Sequence, residues 1–504
     1  MNKQVVNYFL IILLFSCSTN NTGNIHNTRA VGNFNIAEAS RNVSEIFESH
    51  INSGKDYEEN GNINEAIKEY LFCLQMINGL EYGYYFLGRR RDVYNLRVNQ
   101  LLFPLYEKQG NYQEALKIIN NIISEIPNRE NYLNRSRLFT ALGFSVMAEN
   151  DRNIANRLER VYYVSARGND TQNDGRSEQT PFATLGKALD VARRGTIKTV
   201  IVIGYLTDME EDNSIRTRTY FSINNNEQEI LIIGKNSGGI IASGDRYSNS
   251  TVINVSGNFR FANIVIAGGE TGIVINSGSN VIFDTGVIIT ENTGGGSNWL
   301  YSPRGTGILN NGNLIIQGDA KIINNSTASG NSAGGISNNG TLIIKDFVLI
   351  SGNKAIENRD GGTGQGGGIL NNGTLTIQDN VVISNNSSVT HGGGIYNNGT
   401  LNILGGEILN NNSKTNGGGI YNNGTITMRN GKIYNNIAEY GAGVYVSRGT
   451  NVIFNIINGR IENNNARFAG GGIYVERNAR FSQNGGDIIN NLAGDGDGNN
   501  IFRQ

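Results

Sequence analysis

The sequence predicts a mainly β protein, a right-handed parallel β-helix with three-strand coils, preceded by a small all-α module. A block reading GGGI-Y-NNGT-L-x-I returns about every 25 residues, with clear copies from Gly366, Gly392 and Gly417. Within residues 392–416, turn residues separate three short β-prone pieces, and none is long enough for a helix. Residues 37–150 are instead poor in glycine and have helical periodicity. Tandem units of this size must stack to bury a common core.

The first residues read as a targeting segment. Lys3 precedes an apolar run that ends at Phe15 and is too short to span a bilayer, so we predict a signal peptide over 1–16. Leu14-Phe15-Ser16-Cys17 resembles the lipobox of bacterial lipoproteins, which implies cleavage before Cys17 and acylation of its sulfur. An ordinary signal peptide with a chance cysteine is the alternative. Residues 17–36, rich in Asn, Thr and Gly, are predicted to be a flexible lipid-anchored linker. This resemblance implies the bacterial cell envelope, with the protein on the outer membrane and exposed at the surface.

Residues 37–150 contain two copies of a helical pattern, around Gly61 and Ala66 and around Gly110 and Ala115, and Pro127 follows the second copy. The pattern resembles the tetratricopeptide repeat, although the two copies lie farther apart than that family's period. A third helix is expected at about 131–148. The resemblance implies a groove for a peptide or protein partner. A spacer that lifts the β-helix is the alternative interpretation.

Residues 155–504 are assigned to the β-helix. The segment 160–195 resembles the N-terminal cap of pectin-lyase-like β-helix proteins, with a strand, an Asp/Gly loop and a short amphipathic helix. The repeats also resemble those of polymorphic outer-membrane adhesins. Three inward rungs are predicted: Ile336, Ile369, Ile395, Ile420, Val444 and Ile473; Leu314, Leu342, Leu375, Leu401 and Ile426; Ile322, Ile383, Ile408, Ile433, Ile461 and Ile488. Asn-Asn and Asn-Asn-Gly corners are expected to bend through left-handed backbone and to form amide ladders between coils.

Several residues are candidates for ligand or metal binding. Asp170 and Asp174, in a Gly/Asn loop, are calcium candidates, and a turn held by Asx hydrogen bonds is the alternative. No other cofactor is expected. The formal net charge of −1 gives no reason to expect a nucleic-acid partner. Cys73, in an apolar helical stretch, is expected to be a core residue.

The aligned repeats indicate binding more than catalysis. Enzymes on this fold need clustered carboxylates, and we find no carboxylate pair whose aligned positions would meet. The charges beside one rung alternate in sign, with Glu407 expected beside Lys432 and Arg460 beside Asp487. The less regular coils at 200–305 leave room for a site. Directly after the inward Ile or Val come Tyr396, Tyr421, Tyr445 and Tyr474, which strand alternation turns outward into a stacked aromatic ladder.

We therefore expect a lipid-anchored, non-catalytic surface protein whose β-helix presents an extended, adhesin-like face to a glycan or protein ligand through this ladder. Shielding of the sheet by the rings is the alternative role for the ladder. The alternative functions are a polysaccharide lyase or glycoside hydrolase, and a scaffold whose helical module recruits a protein.

Overall fold

A computed structural model describes residues 36–79, 91–206, 218–241, 250–293, 306–327, 332–356, 364–494 and 498–504. The chain divides into two compact units, Met1–Leu105 and Tyr106–Gln504. The protein is a parallel β-helix preceded by a helical module, so the predicted fold class is confirmed. No helix among the described residues is long and apolar enough to cross a membrane.

The described helices, in chain order, are α1 (Ile36–Glu59), α2 (Ile63–Gly79), α3 (Arg91–Lys108), α4 (Tyr112–Glu125), α5 (Arg129–Ala141), α6 (Ser145–Arg157) and α7 (Leu185–Arg194). Gly61 and Gly110 have positive φ angles of 76° and 71°, and each ends one helix just before the next begins. Ala66 and Ala115, one turn into the following helices, are fully buried. Glycine at the turn and alanine at the contact therefore play the parts that the repeated pattern predicts.

The core of the first unit lies between α1 and α2. Phe47, Ile51, Tyr70 and Cys73 are buried there. Burial raises the pKa of the Cys73 thiol to about 12, as expected for a structural rather than a reactive cysteine. A methyl group on Gly54 would lie 2.3 Å from the Tyr70 ring, so this glycine lets the two helices approach closely.

The helix expected at about 131–148 is wrong, because α5 and α6 occupy this stretch with a break between them. Gly143 adopts a positive φ of 84°. Its N–H donates to Thr140 O (3.1 Å), and the Phe144 N–H donates to Phe139 O (2.8 Å). These two bonds are those of a glycine C-cap, which ends a helix even where the apolar pattern continues.

The β-helix has three long faces. Face A consists of β6 (Thr271–Ile275), β9 (Ile308–Asn310), β13 (Ile336–Asn338), β17 (Ile369–Asn371), β21 (Ile395–Asn397), β25 (Ile420–Asn422), β29 (Val444–Val446), β33 (Ile473–Val475) and β37 (Ile501–Arg503). Face B consists of β7 (Asn280–Phe283), β10 (Asn313–Ile316), β14 (Thr341–Ile344), β18 (Thr374–Ile377), β22 (Thr400–Ile403), β26 (Thr425–Met428), β30 (Ile453–Ile456) and β34 (Arg480–Gln483). Face C consists of β5 (Val265–Ala267), β8 (Ile288–Thr290), β11 (Lys321–Ile323), β15 (Leu349–Ser351), β19 (Val382–Ser384), β23 (Glu407–Leu409), β27 (Lys432–Tyr434), β31 (Arg460–Glu462) and β35 (Asp487–Ile489).

After the short β1, the first coils of the β-helix use longer strands, and a fourth, short strand completes the later coils. The first coils use β1 (Tyr162–Val164), β2 (Thr199–Leu206), β3 (Arg218–Ile241) and β4 (Ser250–Ala262). The short strands form a separate sheet: β12 (Ser326–Thr327), β16 (Lys354–Ala355), β20 (Ser387–Ser388), β24 (Asn412–Ser413), β28 (Ile437–Tyr440), β32 (Asn465–Ala469) and β36 (Leu492–Ala493). The three-strand coils that the repeat predicts lack this sheet, because its inward side chains are small Ala, Ser and Thr residues that give no apolar signal.

Residues one period apart pair in parallel register. Ile395 lies beside Ile420, Leu401 beside Ile426, and Ile408 beside Ile433. The three predicted rungs point inward into one continuous hydrophobic core, against which Ile488 of the last coil packs while partly buried. The tandem segments therefore wind into one solenoid, as the repeat predicts.

Asparagine ladders join the coils at two corners. One buried ladder runs through Asn310, Asn338, Asn371, Asn397 and Asn422, and each Nδ2 donates to the next Oδ1 over 2.7–2.8 Å. A second runs through Asn292, Asn325, Asn353, Asn386, Asn411, Asn436, Asn464, Asn491 and Asn500. The predicted ladders are thus confirmed, and they satisfy buried polar groups along the whole stack.

The two kinds of corner use different backbone geometry. Before the second ladder, Asn324, Asn385, Asn410, Asn435, Asn463 and Asn490 adopt positive φ near 55°, as expected of Asn. At the Asn-Asn-Gly corner the glycine is needed for another reason. A methyl group on Gly373 would lie 2.0 Å from Gly340 O of the neighbouring coil, so close stacking rather than left-handed backbone requires glycine there.

Helices α4 to α6 pack on the outside of the coils within the second unit. Asn120 donates to Asp319 (3.3 Å), the Phe144 and Phe347 rings meet edge to face, and Arg157 binds Glu229. Arg135 and Asp151 form a fully buried pair with an Nη2–Oδ1 distance of 2.7 Å. Burial opposes ionisation of Asp151 more strongly than Arg135 favours it, so its pKa is raised to about 6.

Candidate binding face and terminal pocket

The four predicted tyrosines form a stacked ladder on the outside of face A. Ring centroids are 4.8 Å apart from Tyr396 to Tyr421, 5.3 Å from Tyr421 to Tyr445 and 4.9 Å from Tyr445 to Tyr474. Interplanar angles are 14°, 8° and 7°, and Phe502 extends the stack at 4.8 Å. Parallel register places one ring on each coil, so the predicted stacking is confirmed.

The predicted exposure of this ladder is wrong. Tyr396, Tyr445 and Tyr474 are only 8%, 6% and 8% exposed, and Tyr421 is partly buried. Segments that lead into the face A strands cover the rings: His391 stacks on Tyr421 at 4.5 Å, and Tyr440 meets Tyr474 edge to face at 5.6 Å. Burial raises the pKa of Tyr421 to about 12. The ladder forms an apolar layer outside the sheet, which is the shielding role left open above.

One carboxylate connects the ladder with the surface. The Tyr445 hydroxyl donates to Glu476 Oε1, and the Arg448 backbone N–H donates to Glu476 Oε2 over 2.6 Å. Burial and this hydrogen bond raise the pKa of Tyr445 well above its usual range. Glu476 is therefore held in place by two groups of the preceding coil.

Asp170 and Asp174 hold the N-terminal cap together. Asp170 Oδ1 accepts from Ala183 N (2.7 Å) and Thr184 N (3.1 Å) just before α7 begins. Asp174 Oδ1 accepts from Arg176 N (3.0 Å) and Thr180 Oγ1 (2.9 Å), and these bonds lower the pKa of Asp174. Asp174 thus makes the Asx bond that was the alternative to calcium, whereas Asp170 binds backbone N–H groups on the far side of the cap. Across the described segments no group of three or more His, Cys, Asp or Glu is placed to hold a metal ion.

The predicted acylation site Cys17 and the signal peptide lie outside the described residues. The charges of face C are placed as expected, with Glu407 beside Lys432 and an ion pair of 3.6 Å between them. Arg460 aligns with Asp487, but its Nε is 2.7 Å from Glu462 on its own strand. This face therefore carries charges that are paired locally.

The expectation that no aligned carboxylates meet is wrong. Asp346 and Asp379 occupy equivalent positions after β14 and β18, and the Asp346 N–H donates to Asp379 Oδ2 over 3.3 Å. Asp346 Oδ2 accepts from Gly318 N (2.9 Å), and burial, reinforced by the charges of Asp379 and Asp284, raises the pKa of Asp346. The side chain of Asp346 is 9% exposed. The hydrogen bonds of Asp346 and Asp379 thus link neighbouring coils. The Asp346 carboxylate is largely buried, so a polymeric substrate cannot reach it.

Face B presents a different kind of surface, an ordered array of uncharged polar side chains. Outward positions align in three columns along the coils: Asn339, Asn372, Asn398 and Asn423; Thr341, Thr374, Thr400 and Thr425; Thr376, Asn402, Thr427, Asn455 and Ser482. We call these residues the face B array. Neighbouring members of a column lie about 4.8 Å apart, the spacing of paired strands.

The array side chains differ in how far they are already bonded. Its asparagine column is an exposed amide ladder, in which Asn398 donates to Asn372 (2.9 Å) and Asn423 to Asn398 (3.1 Å). Within the described part of the chain, the hydroxyls of Thr374, Thr400 and Thr425 have no hydrogen-bond partner. Those hydroxyls are available to a ligand. The repeat NNGT-L-x-I already contains the signal for this array, because its Thr and its variable position face outward. Only its inward Leu and Ile were used to predict the core.

The array leads into a pocket at the last coil. The pocket has a volume of about 630 Å³ and is lined by residues that include Asn455, Glu476, Arg480, Phe481, Ser482 and Arg503. Asn455 and Ser482 also belong to the third column of the array, and Ser482 Oγ donates to Asn455 Oδ1 over 2.7 Å. The face B array and the pocket therefore form one continuous surface.

A scan against models of protein families gives no match, and a search of curated proteins finds none that is similar. What this surface binds must therefore be argued from its own geometry and chemistry.

Proposed function

We propose that this chain is a lipid-anchored, non-catalytic surface protein of the bacterial envelope that binds a glycan along face B. The observation that carries the proposal is the face B array, with its outward hydroxyl and amide groups in parallel register on successive coils. Among the described residues, no protein group forms a hydrogen bond with the threonine hydroxyls of the array. A ligand therefore displaces only water from them.

The chemistry of the array suits a polyhydroxylated polymer. Each hydrogen bond that replaces one to water contributes a net ~0.5–1.5 kcal/mol, so one contact is weak. The coils repeat the same contact, and linked contacts on one chain add through effective concentration. Protein interfaces are enriched in aromatic residues and arginine, which these columns lack between Thr341 and Asn455. An uncharged polar face therefore favours a glycan over a protein ligand.

The same columns favour binding over catalysis. General acid–base chemistry needs groups that gain and lose a proton near neutral pH. Asn and Thr side chains do not titrate there, and the nearest aligned carboxylates belong to the largely buried corner at Asp346. The lyase or hydrolase alternative therefore gains no support from face B.

The anchor and the helical module complete the proposal. The lipobox-like Leu14–Cys17 supports attachment to a membrane, and the likeness of the repeats to polymorphic outer-membrane adhesins supports display at the cell surface. The glycine and alanine pattern at Gly61 and Ala66 supports a tetratricopeptide-like module that spaces the β-helix from the membrane. Replacing Cys17 with Ser should abolish palmitate labelling and release the protein from the membrane fraction, and retained labelling would contradict the anchor.

The binding test compares two conservative substitutions on different faces of the full-length chain. The double variant Thr374→Val/Thr400→Val keeps the side-chain shape and removes two free hydroxyls of the array. Thr290→Val is the matched control, because Thr290 points outward from face C at the end of β8. On a glycan array, we expect the double variant to lose at least about tenfold in apparent affinity. Equal binding by both variants, with unchanged melting temperatures, would refute the role of face B.

A further inference from the structure

Two guanidinium groups, those of Arg480 and Arg503, line the pocket at the end of the array. No carboxylate among the described residues pairs with the guanidinium of Arg480 or Arg503. The one acidic side chain that lines the pocket, Glu476, already accepts from Tyr445 and Arg448. The pocket therefore offers two free guanidinium groups and one occupied carboxylate.

One of these arginines is held in position before any ligand arrives. Arg503 Cζ lies 5.3 Å from the centre of the Phe481 ring, which is a cation–π distance. The Gln504 N–H donates to Val475 O over 3.0 Å, so the backbone after Arg503 is tied to the preceding coil. A side chain fixed in this way loses less conformational entropy on binding.

Neutral polar groups surround the two guanidinium groups. Because Ser482 donates to Asn455 Oδ1, the Asn455 NH₂ keeps its donors for a ligand. Asn478 is exposed on the same wall. The volume of about 630 Å³ lies in the range of small-molecule sites. Two cations with several neutral donors and acceptors match a carboxylate attached to a polyhydroxylated ring.

We propose that the pocket binds an acidic sugar residue at the end of a glycan, through its carboxylate, while face B holds the neutral part of the chain. The guanidinium of Arg503, with Arg480 beside it, binds the carboxylate in the planar two-bond geometry that Arg favours. Asn455, Asn478 and Ser482 bind ring hydroxyls. This inference rests on the proposed glycan binding, which it extends to an acidic terminal sugar.

Titration calorimetry with the full-length chain tests the pocket with three trisaccharide-sized or smaller probes: 3′-sialyllactose, 3′-sulfolactose and lactose. We expect 3′-sialyllactose to bind at least tenfold more tightly than lactose, and more tightly than 3′-sulfolactose. Arg503→Gln should remove that advantage and leave lactose binding unchanged. Arg477→Gln is the matched control, because Arg477 is exposed, lies two residues outside β33 and does not line the pocket.

Three results would overturn the proposal. In the first, 3′-sialyllactose binds no better than lactose. In the second, 3′-sulfolactose binds as tightly, which shows an anion site without preference for a carboxylate sugar. In the third, Arg477→Gln weakens binding as much as Arg503→Gln, which shows a long-range charge effect. Failure of the proposed function is distinguishable, because it appears as intact glycan binding by Thr374→Val/Thr400→Val.

Discussion

The buried asparagine ladder gives the sharpest prediction about stability. Asn411 is fully buried, and its amide makes four hydrogen bonds. Its Nδ2 donates to Ile383 O (2.9 Å) and Asn436 Oδ1 (3.1 Å), and its Oδ1 accepts from both the backbone N and the Nδ2 of Asn386 (3.0 Å each). Replacing Asn411 with Ala removes all four bonds at one level of the stack.

The cost follows from which groups lose their partners. Asn386 Nδ2 still donates to Ile350 O, and Asn436 Oδ1 still accepts from the Asn411 backbone N–H. The Asn386 backbone N–H has no other acceptor among the described residues. A buried N–H without a partner costs about 1–3 kcal/mol, and with the other lost bonds we expect Asn411→Ala to destabilise this region by about 2–4 kcal/mol. At 1.4 kcal/mol per tenfold, this lowers hydrogen-exchange protection by a factor of about 30 or more.

The control is Asn398→Ala in the exposed ladder. Asn398 makes two side-chain bonds, to Asn372 and Asn423, at the surface, where water replaces them. We expect an effect below about 0.5 kcal/mol. Hydrogen exchange followed by mass spectrometry, on peptides that contain Asn386, measures the local effect in a stack that need not unfold in two states. Equal loss of protection in the two variants would refute the argument that burial decides the cost.

Three further predictions concern pH and close packing. Burial raises the pKa of Asp346, so the folded protein disfavours the ionised carboxylate. Asp346→Asn should therefore raise the melting temperature at pH 7. This gain should vanish at about pH 3, where the Asp and the Asn side chains are both neutral. Burial lowers the pKa of His391, so the folded protein favours the neutral ring. Stability should therefore fall as the pH drops below about 6.5. If thermal melts of a His391→Gln variant show the same loss, His391 is not its cause. A Cβ on Gly399 would lie 2.0 Å from Gly373 O, so Gly399→Ala should lower stability by more than about 1 kcal/mol in urea unfolding, whereas an unchanged midpoint would show that the corner relaxes freely.

The fold could be predicted because the apolar and the polar residues recur with the same period. Ile395 and Ile420 recur with the unit, and burying them requires stacked coils, so register follows from spacing. The ladder at Asn386 and Asn411 follows from the same register. The helix break at Gly143 was missed because the apolar pattern continues through it, and the fourth strand was missed because its inward residues are small.

The candidate site was harder to predict. Alternation along a strand states that Tyr421 leaves the core side of face A, but it does not state what packs outside that face. In the structure, His391 of the preceding coil lies on the ring. Asp346 and Asp379 each lie two residues after a face B strand, so the repeat itself aligns them, and their proximity was missed because only the charges beside the face C strands were compared.

Taken by itself, the amino-acid sequence determined the solenoid, its inward rungs and its amide ladders, because each depends only on residues that recur with the coil. Only the tertiary structure decided which outward surfaces remain free. Face A is covered by segments that lead into its strands. The threonine hydroxyls of face B and the guanidinium groups of Arg480 and Arg503 have no hydrogen-bond or ion-pair partner within the described chain. The physical reason is that burial of an outward side chain depends on neighbours from other coils, and their paths over the sheet are not encoded in the repeat.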